Sequence, residues 1–152
     1  MPALLPRVLA LAALLLTACT TTEVVTLARH ADAVNCVAAA PDGRVITGSV
    51  DTTVKVWRDG ACERTIQAHS DRVWAVAVLP GGARFVSVSD DRTAKLWTLD
   101  GALERTFDVG YINTQCVAAL PDGVHFVLYI DIGEDEEGQV IGEIQLLSLI
   151  HI

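Results

Sequence analysis

Basic and aromatic residues are scarce in this chain: 11 Lys and Arg stand against 19 Asp and Glu, and Trp, Tyr and Phe supply 5% of 152 residues. The net charge of -8, with no cluster of Lys or Arg, argues against a nucleic-acid partner, because gripping a phosphate backbone takes concentrated positive charge. Four cysteines, at positions 19, 36, 62 and 116, include no C-x-x-C pair, so neither a zinc knuckle nor a dense disulfide framework is written here. What is plentiful is apolar: 51% of residues are hydrophobic and 20% charged, too apolar a balance for a disordered chain. The length bounds the chain to about one domain.

Part of that hydropathy lies in residues 1–19. Arg7 precedes the apolar run Val8 to Leu16, the plan of a secretory signal. Counted generously to Ala18, the run is shorter than the roughly 20 residues that a membrane-spanning helix needs. Leu16-Thr-Ala-Cys19 resembles the lipobox of bacterial lipoprotein signals, which would make Cys19 a lipidated first residue and a membrane tether. The competing reading is an Ala- and Leu-rich start that imitates a signal by composition alone. The compartment, extracytoplasmic or cytoplasmic, hangs on this segment.

Residues 20–152 are dominated by self-similarity, and repeats govern how everything else is read. His30-Ala-Asp-Ala-Val34 returns as His69-Ser-Asp-Arg-Val73, a shift of 39, and Val54-Lys-Val-Trp57 returns as Ala94-Lys-Leu-Trp97, a shift of 40. A third copy, shifted by 41, keeps Cys116 to Gly123 for Ala75 to Gly82. The units run over about 23–58, 62–98 and 103–149. Pro-Asp-Gly, Pro-Gly-Gly and Asp-Gly punctuate β-branched and aromatic segments, so each unit predicts short β-strands joined by hairpin turns. Four strands per unit are expected at 34–39, 45–49, 53–58 and 62–67 and at 73–78, 84–89, 93–98 and 103–108. Glu23 to Leu27 would supply an equivalent of the last strand ahead of the first unit.

Four strands at a period near 40, with these motifs, resembles the WD-repeat β-propeller family. The resemblance implies an all-β fold: a partial propeller of about three four-stranded blades, the third irregular. It also implies hydrogen-bonded tetrads of His30, Ser49, Asp51 and Trp57, then His69, Ser89, Asp91 and Trp97, in which donors satisfy a buried carboxylate. The sequence departs from the pattern in the third copy, where the His position falls at Gly110 and the Trp position near Leu147. There Asp131 to Gly142 is expected to separate the second and third strands, with the acidic run Glu134 to Glu137 as a solvated loop rather than a calcium site.

The His and Asp residues recur at matching positions in each copy, which an active site has no reason to do, and no nucleophile elbow accompanies the serines. The chain therefore reads as non-catalytic and without a cofactor. Cys36 and Cys116 read as buried small hydrophobes and Cys62 as exposed and unpaired. The resemblance implies a partner face where the first strands begin: Ala33, Asn35 and Val50, then Arg72, Trp74 and Asp90, then Asn113 and Gln115. The expected function is a protein or peptide interaction module. The alternative is an extracytoplasmic lipid-anchored propeller lipoprotein that binds a small ligand. Three units cannot close a ring that typically takes 4 to 8 blades, so the chain reads as a fragment of a longer propeller, with self-association as the other way to close.

Overall fold

The computed structural model describes residues 29–110, 114–134, 137 and 139–149. The signal-like segment 1–19, Cys19 and the strand expected at Glu23 to Leu27 lie outside them, as does Asn113.

Among the described residues eleven strands form three antiparallel sheets in simple sequential order. Blade one holds β1 (Val34–Ala39), β2 (Val45–Ser49), β3 (Thr53–Arg58) and β4 (Ala61–Gln67). Blade two holds β5 (Val73–Val78), β6 (Arg84–Ser89), β7 (Thr93–Thr98) and β8 (Leu103–Asp108). Blade three holds β9 (Thr114–Ala119), β10 (His125–Glu134) and β11 (Val140–Ser148), three strands among the described residues. The turns sit where local chemistry demands them. At Pro41-Asp-Gly43 the glycine adopts φ +87°, and Ala40 and Arg44 close the hairpin through Ala40 N–H to Arg44 O at 2.8 Å. Asp59 and Gly60 both have positive φ, the two-residue arrangement that matches strand twist.

Blade three corrects one expectation. Asp131 to Gly142 is not a long connection: β10 continues through Glu134 and β11 resumes at Val140, paired from His125↔Ser148 to Glu134↔Val140 with one register shift between Asp131 and Gly133. The apolar residues of these strands, Tyr129↔Ile144 and Val127↔Leu146 among them, extend the ladder, and the acidic segment between the strands is correspondingly short.

The inner strands β1, β5 and β9 lie side by side, and two apolar seams join the blades. The first packs Ile46, Val54 and Val56 of blade one against Val76, Phe85 and Trp97 of blade two. The second packs Val86, Leu96 and Phe107 of blade two against Val117, Phe126 and Leu128 of blade three. At the first seam a side chain on Gly48 would collide with Val73 and the Cys36 sulfur, at 2.6 and 2.7 Å, so only glycine allows the blades to approach this closely. Cys36 is half-buried there, and burial pushes its thiol up to about 11. Cys116, at the same repeat position, is exposed instead of buried, because no further blade covers it among the described residues. Cys62 is exposed.

Candidate functional site

Each of the first two blades is stapled by a hydrogen-bonded chain across its strands. In blade two, Trp97 Nε1–H donates to Ser87 Oγ at 2.9 Å, His69 Nε2 lies 2.8 Å from the same oxygen, and His69 Nδ1 lies 2.8 Å from Asp91 Oδ2. In blade one, Trp57 Nε1–H donates to Thr47 Oγ1 at 2.8 Å, and His30 spans Thr47 and Asp51 at 2.7 and 3.0 Å. The proton positions follow from what each group can do. An indole nitrogen only donates and a carboxylate only accepts, so the hydroxyl hydrogen points to Nε2 and the histidine proton sits on Nδ1.

The hydroxyl in each staple is therefore Thr47 or Ser87, not Ser49 or Ser89 as the sequence suggested. Positions two apart share a face of a strand, and the pairing of β2 with β3 and of β6 with β7 brings the upstream hydroxyl under the indole. Ser49 and Ser89 are also buried, with a different task. Their hydroxyls donate to the carbonyls of Ala33, at 2.9 Å, and Asp71, at 3.1 Å, and accept from the N–H of Asp51 and Asp91, both at 3.1 Å. They tie the β2–β3 and β6–β7 corners to the chain entering each blade.

Asp91 receives Thr93 Oγ1–H at 2.6 Å, Thr93 N–H at 3.0 Å and Ser70 N–H at 3.2 Å besides His69. Burial alone pushes its carboxyl up, but these donors outweigh burial and hold it below its usual range; the same balance, with Thr53, Ala31 and His30, holds Asp51 well below. Burial pushes the His69 imidazole down, partly opposed by Asp91, which agrees with the neutral tautomer. The pH dependence follows. Both carboxyls titrate lower folded than unfolded, so their contribution is complete above the unfolded value of about 3.9 and fades as pH falls through the folded one. His69, depressed below about 6.5, contributes above that value and loses its contribution on acidification from it. The melting temperature at pH 5.5 should therefore lie below that at pH 7.5, and His69→Gln should flatten the difference; an equally steep profile in the variant would place the titration elsewhere.

Among the described residues the third blade has no such staple. Leu128 and Leu147 stand at the hydroxyl and indole positions, so apolar packing replaces the polar chain, while Gly110 takes the His position at φ +75°.

The second constellation lies where the inner strands begin. The ladders slip by one residue between Val34 and Cys36, between Val73 and Ala75, and between Thr114 and Cys116. Asn35, Trp74 and Gln115 are thus bulge residues at one repeat position, and bulges re-aim a side chain out of its ladder. Asn35 donates across the first seam to Val73 O at 2.9 Å. Trp74 is partly buried, its indole N–H enclosed without a hydrogen-bond partner. Arg72 is exposed, 3.1 Å from Asp90 and 5.8 Å above the Trp74 ring. Gln115 lies 3.4 Å from Asp131. Ala33 is exposed and Val50 half-buried, joined by Val50 N–H to Ala33 O at 2.9 Å, as Asp90 joins Arg72 at 3.3 Å. A cleft of about 480 Å³ lined by Arg44, Arg58, Arg64 and Asp100 escaped the sequence reading, because its residues come from two blades; Arg44 and Arg58 already pair with Asp42.

Sequential four-stranded antiparallel blades, stapled from His to Trp and stacked through apolar seams, define a β-propeller repeat protein. The family model for the WD domain, G-beta repeat, matches residues 21–58 and 60–98, just over half the chain, and the chain belongs to that family. It is 40% identical over 75 residues to DDB1- and CUL4-associated factor 13 of Xenopus tropicalis, covering 47% of this chain and 17% of that protein. The corresponding human protein is 39% identical over the same length. Nuclear distribution protein nudF of Aspergillus flavus is 44% identical over 55 residues, 36% of this chain and 12% of that protein. The chain thus spans less than a fifth of the length of these relatives.

Proposed function

We propose that this chain is a non-catalytic scaffold that receives a protein or peptide at the beginnings of its inner strands, with residues 20–152 acting as one partial propeller. The observation that carries the reading is the threefold recurrence of a bulge at Asn35, Trp74 and Gln115, which turns a different side chain out of each blade at one end of the array. Repetition fixes the scaffold, and the bulge positions vary in chemistry, as a recognition surface requires. Arg72 and Trp74 form its centre, and Arg and Trp are the residue types most enriched among interface hot spots. The staples, by contrast, are enclosed and fully engaged, which suits rigidity. The relative whose name records association with DDB1 and CUL4 supports a role in partner binding.

The test is selection of a displayed random-peptide library on the immobilised chain. Enriched peptides should lose at least tenfold in affinity to Trp74→Ala and to Arg72→Ala, while Glu104→Ala, at the far periphery on β8, leaves binding unchanged. Peptides indifferent to both substitutions would move the partner site to another surface.

A further inference from the structure

The two ends of the array differ from its interior in one respect. Among the described residues six large hydrophobic side chains are exposed, and four of them, Val34, Val37, Ile144 and Leu146, lie on the outward faces of blades one and three. The repeat shows what these positions are for. Val37 corresponds to Val76 in blade two; Val76 is 8% exposed because blade one covers it, whereas Val37 is 67% exposed. Ile144 pairs with Tyr129 as Ala94 pairs with Val88, and Ala94 is fully enclosed by the second seam while Ile144 is 74% exposed. Val34 and Leu146 stand in the same relation to Val73 and Leu96, and exposed Cys116 to buried Ala75.

Blade one therefore presents the receiving half of a seam and blade three the covering half, and the chain builds that same seam twice within itself. The two outward faces are complementary for the reason that the inner ones are. An exposed apolar face of this kind seeks cover, and a head-to-tail contact between unlike faces closes into a ring when its rotation allows. Two copies of the described array carry six blades, within the 4 to 8 that propellers use.

We infer that this chain associates head to tail with a second copy, the blade-one face of each seated on the blade-three face of the other, to give a closed six-bladed ring. The contact is continuous with the two seams already formed, and it leaves the bulge residues at the strand beginnings on one common rim.

The inference is tested by size-exclusion chromatography with light scattering on the 152-residue chain under reducing conditions. The expected mass is twice that of one chain. Val37→Glu and Leu146→Lys, both at exposed positions, should each return it to a single-chain mass with the far-UV spectrum intact. Alkylation of Cys116 gives a readout that needs no substitution: it should slow at least tenfold from the dissociated to the associated concentration range. A single-chain mass for the unsubstituted protein, an assembly of indefinite size, a twofold mass that both substitutions leave intact, or Cys116 labelling independent of concentration would overturn it.

Discussion

Asp91→Ala should lower stability by about 3 kcal/mol, the scale for breaking a buried, fully engaged carboxylate network. The substitution strands four donors at once: His69 Nδ1–H, Ser70 N–H, Thr93 N–H and the Thr93 hydroxyl. Among the described residues His69 has no other carboxylate partner, and its imidazole is enclosed beneath Ser87 and Trp97. For a domain of this size the melting temperature should fall by about 10 °C or more. Asp91→Asn keeps one acceptor oxygen and should lose less than half as much. Asp51 receives the same four kinds of donor, but the consequence should differ in extent. Stability in a repeat array is a sum over neighbours, so at concentrations where the chain is single Asp51→Ala should loosen blade one alone, while Asp91→Ala, in the blade that joins the other two of the same chain, should bring down the whole array. Hydrogen exchange separates the outcomes: protection lost only in 34–67 for the first, and throughout for the second. Equal and local effects would mean that the staple does not carry blade-to-blade coupling.

Phe126→Ala should cost about 4 kcal/mol, the large-to-small penalty for a fully enclosed aromatic. Phe126 has no exposed surface and meets Phe107 edge to face at 5.3 Å, so the loss includes an aromatic pair as well as a cavity. Its location decides what fails. Phe126 sits in the seam that holds blade three, which lacks a polar staple and rests on apolar packing. The variant should shed the β signal of blade three, about a third of the total, while Trp57 and Trp97 keep their buried fluorescence. A melting temperature within about 2 °C of the unsubstituted chain would show that the seam does not hold that blade.

The strands of the first two blades were legible in the sequence almost to the residue, because their determinants are local. Pro-Asp-Gly and Asp-Gly set the turns, and the β-branched runs between them are too short for anything else. What local chemistry leaves open was read less well. Thr47 and Ser49 share a face, as do Ser87 and Ser89, and only the cross-strand pairing decides which hydroxyl lies beneath the indole. A signal was present, since positions 47 and 87 both carry a hydroxyl in otherwise matched copies. The bulges at Asn35, Trp74 and Gln115 are properties of a register between two strands and have no signature in either strand alone. The length of β10 and β11 escaped for the opposite reason: acidic residues and glycines between 131 and 142 look like loop chemistry, yet ladder pairing extends into them. Cys116 shows the same limit at the next level, because whether a residue is covered depends on what packs over its blade.

Cys36 turns the first seam into a reporter of its own opening. With the thiol pushed up to about 11, only about one molecule in a thousand carries the reactive thiolate at pH 8 in the closed arrangement. Gly48 and Val73 crowd the sulfur's surroundings as well, so the half-buried thiol should label faster when blades one and two part. Cys62, exposed on the same blade, reacts in either arrangement and serves as the internal clock. A rise in the ratio of the two labelling rates in one sample then reports a parting of blades one and two, recorded by a single sulfur atom at the point where one repeat hands the chain to the next.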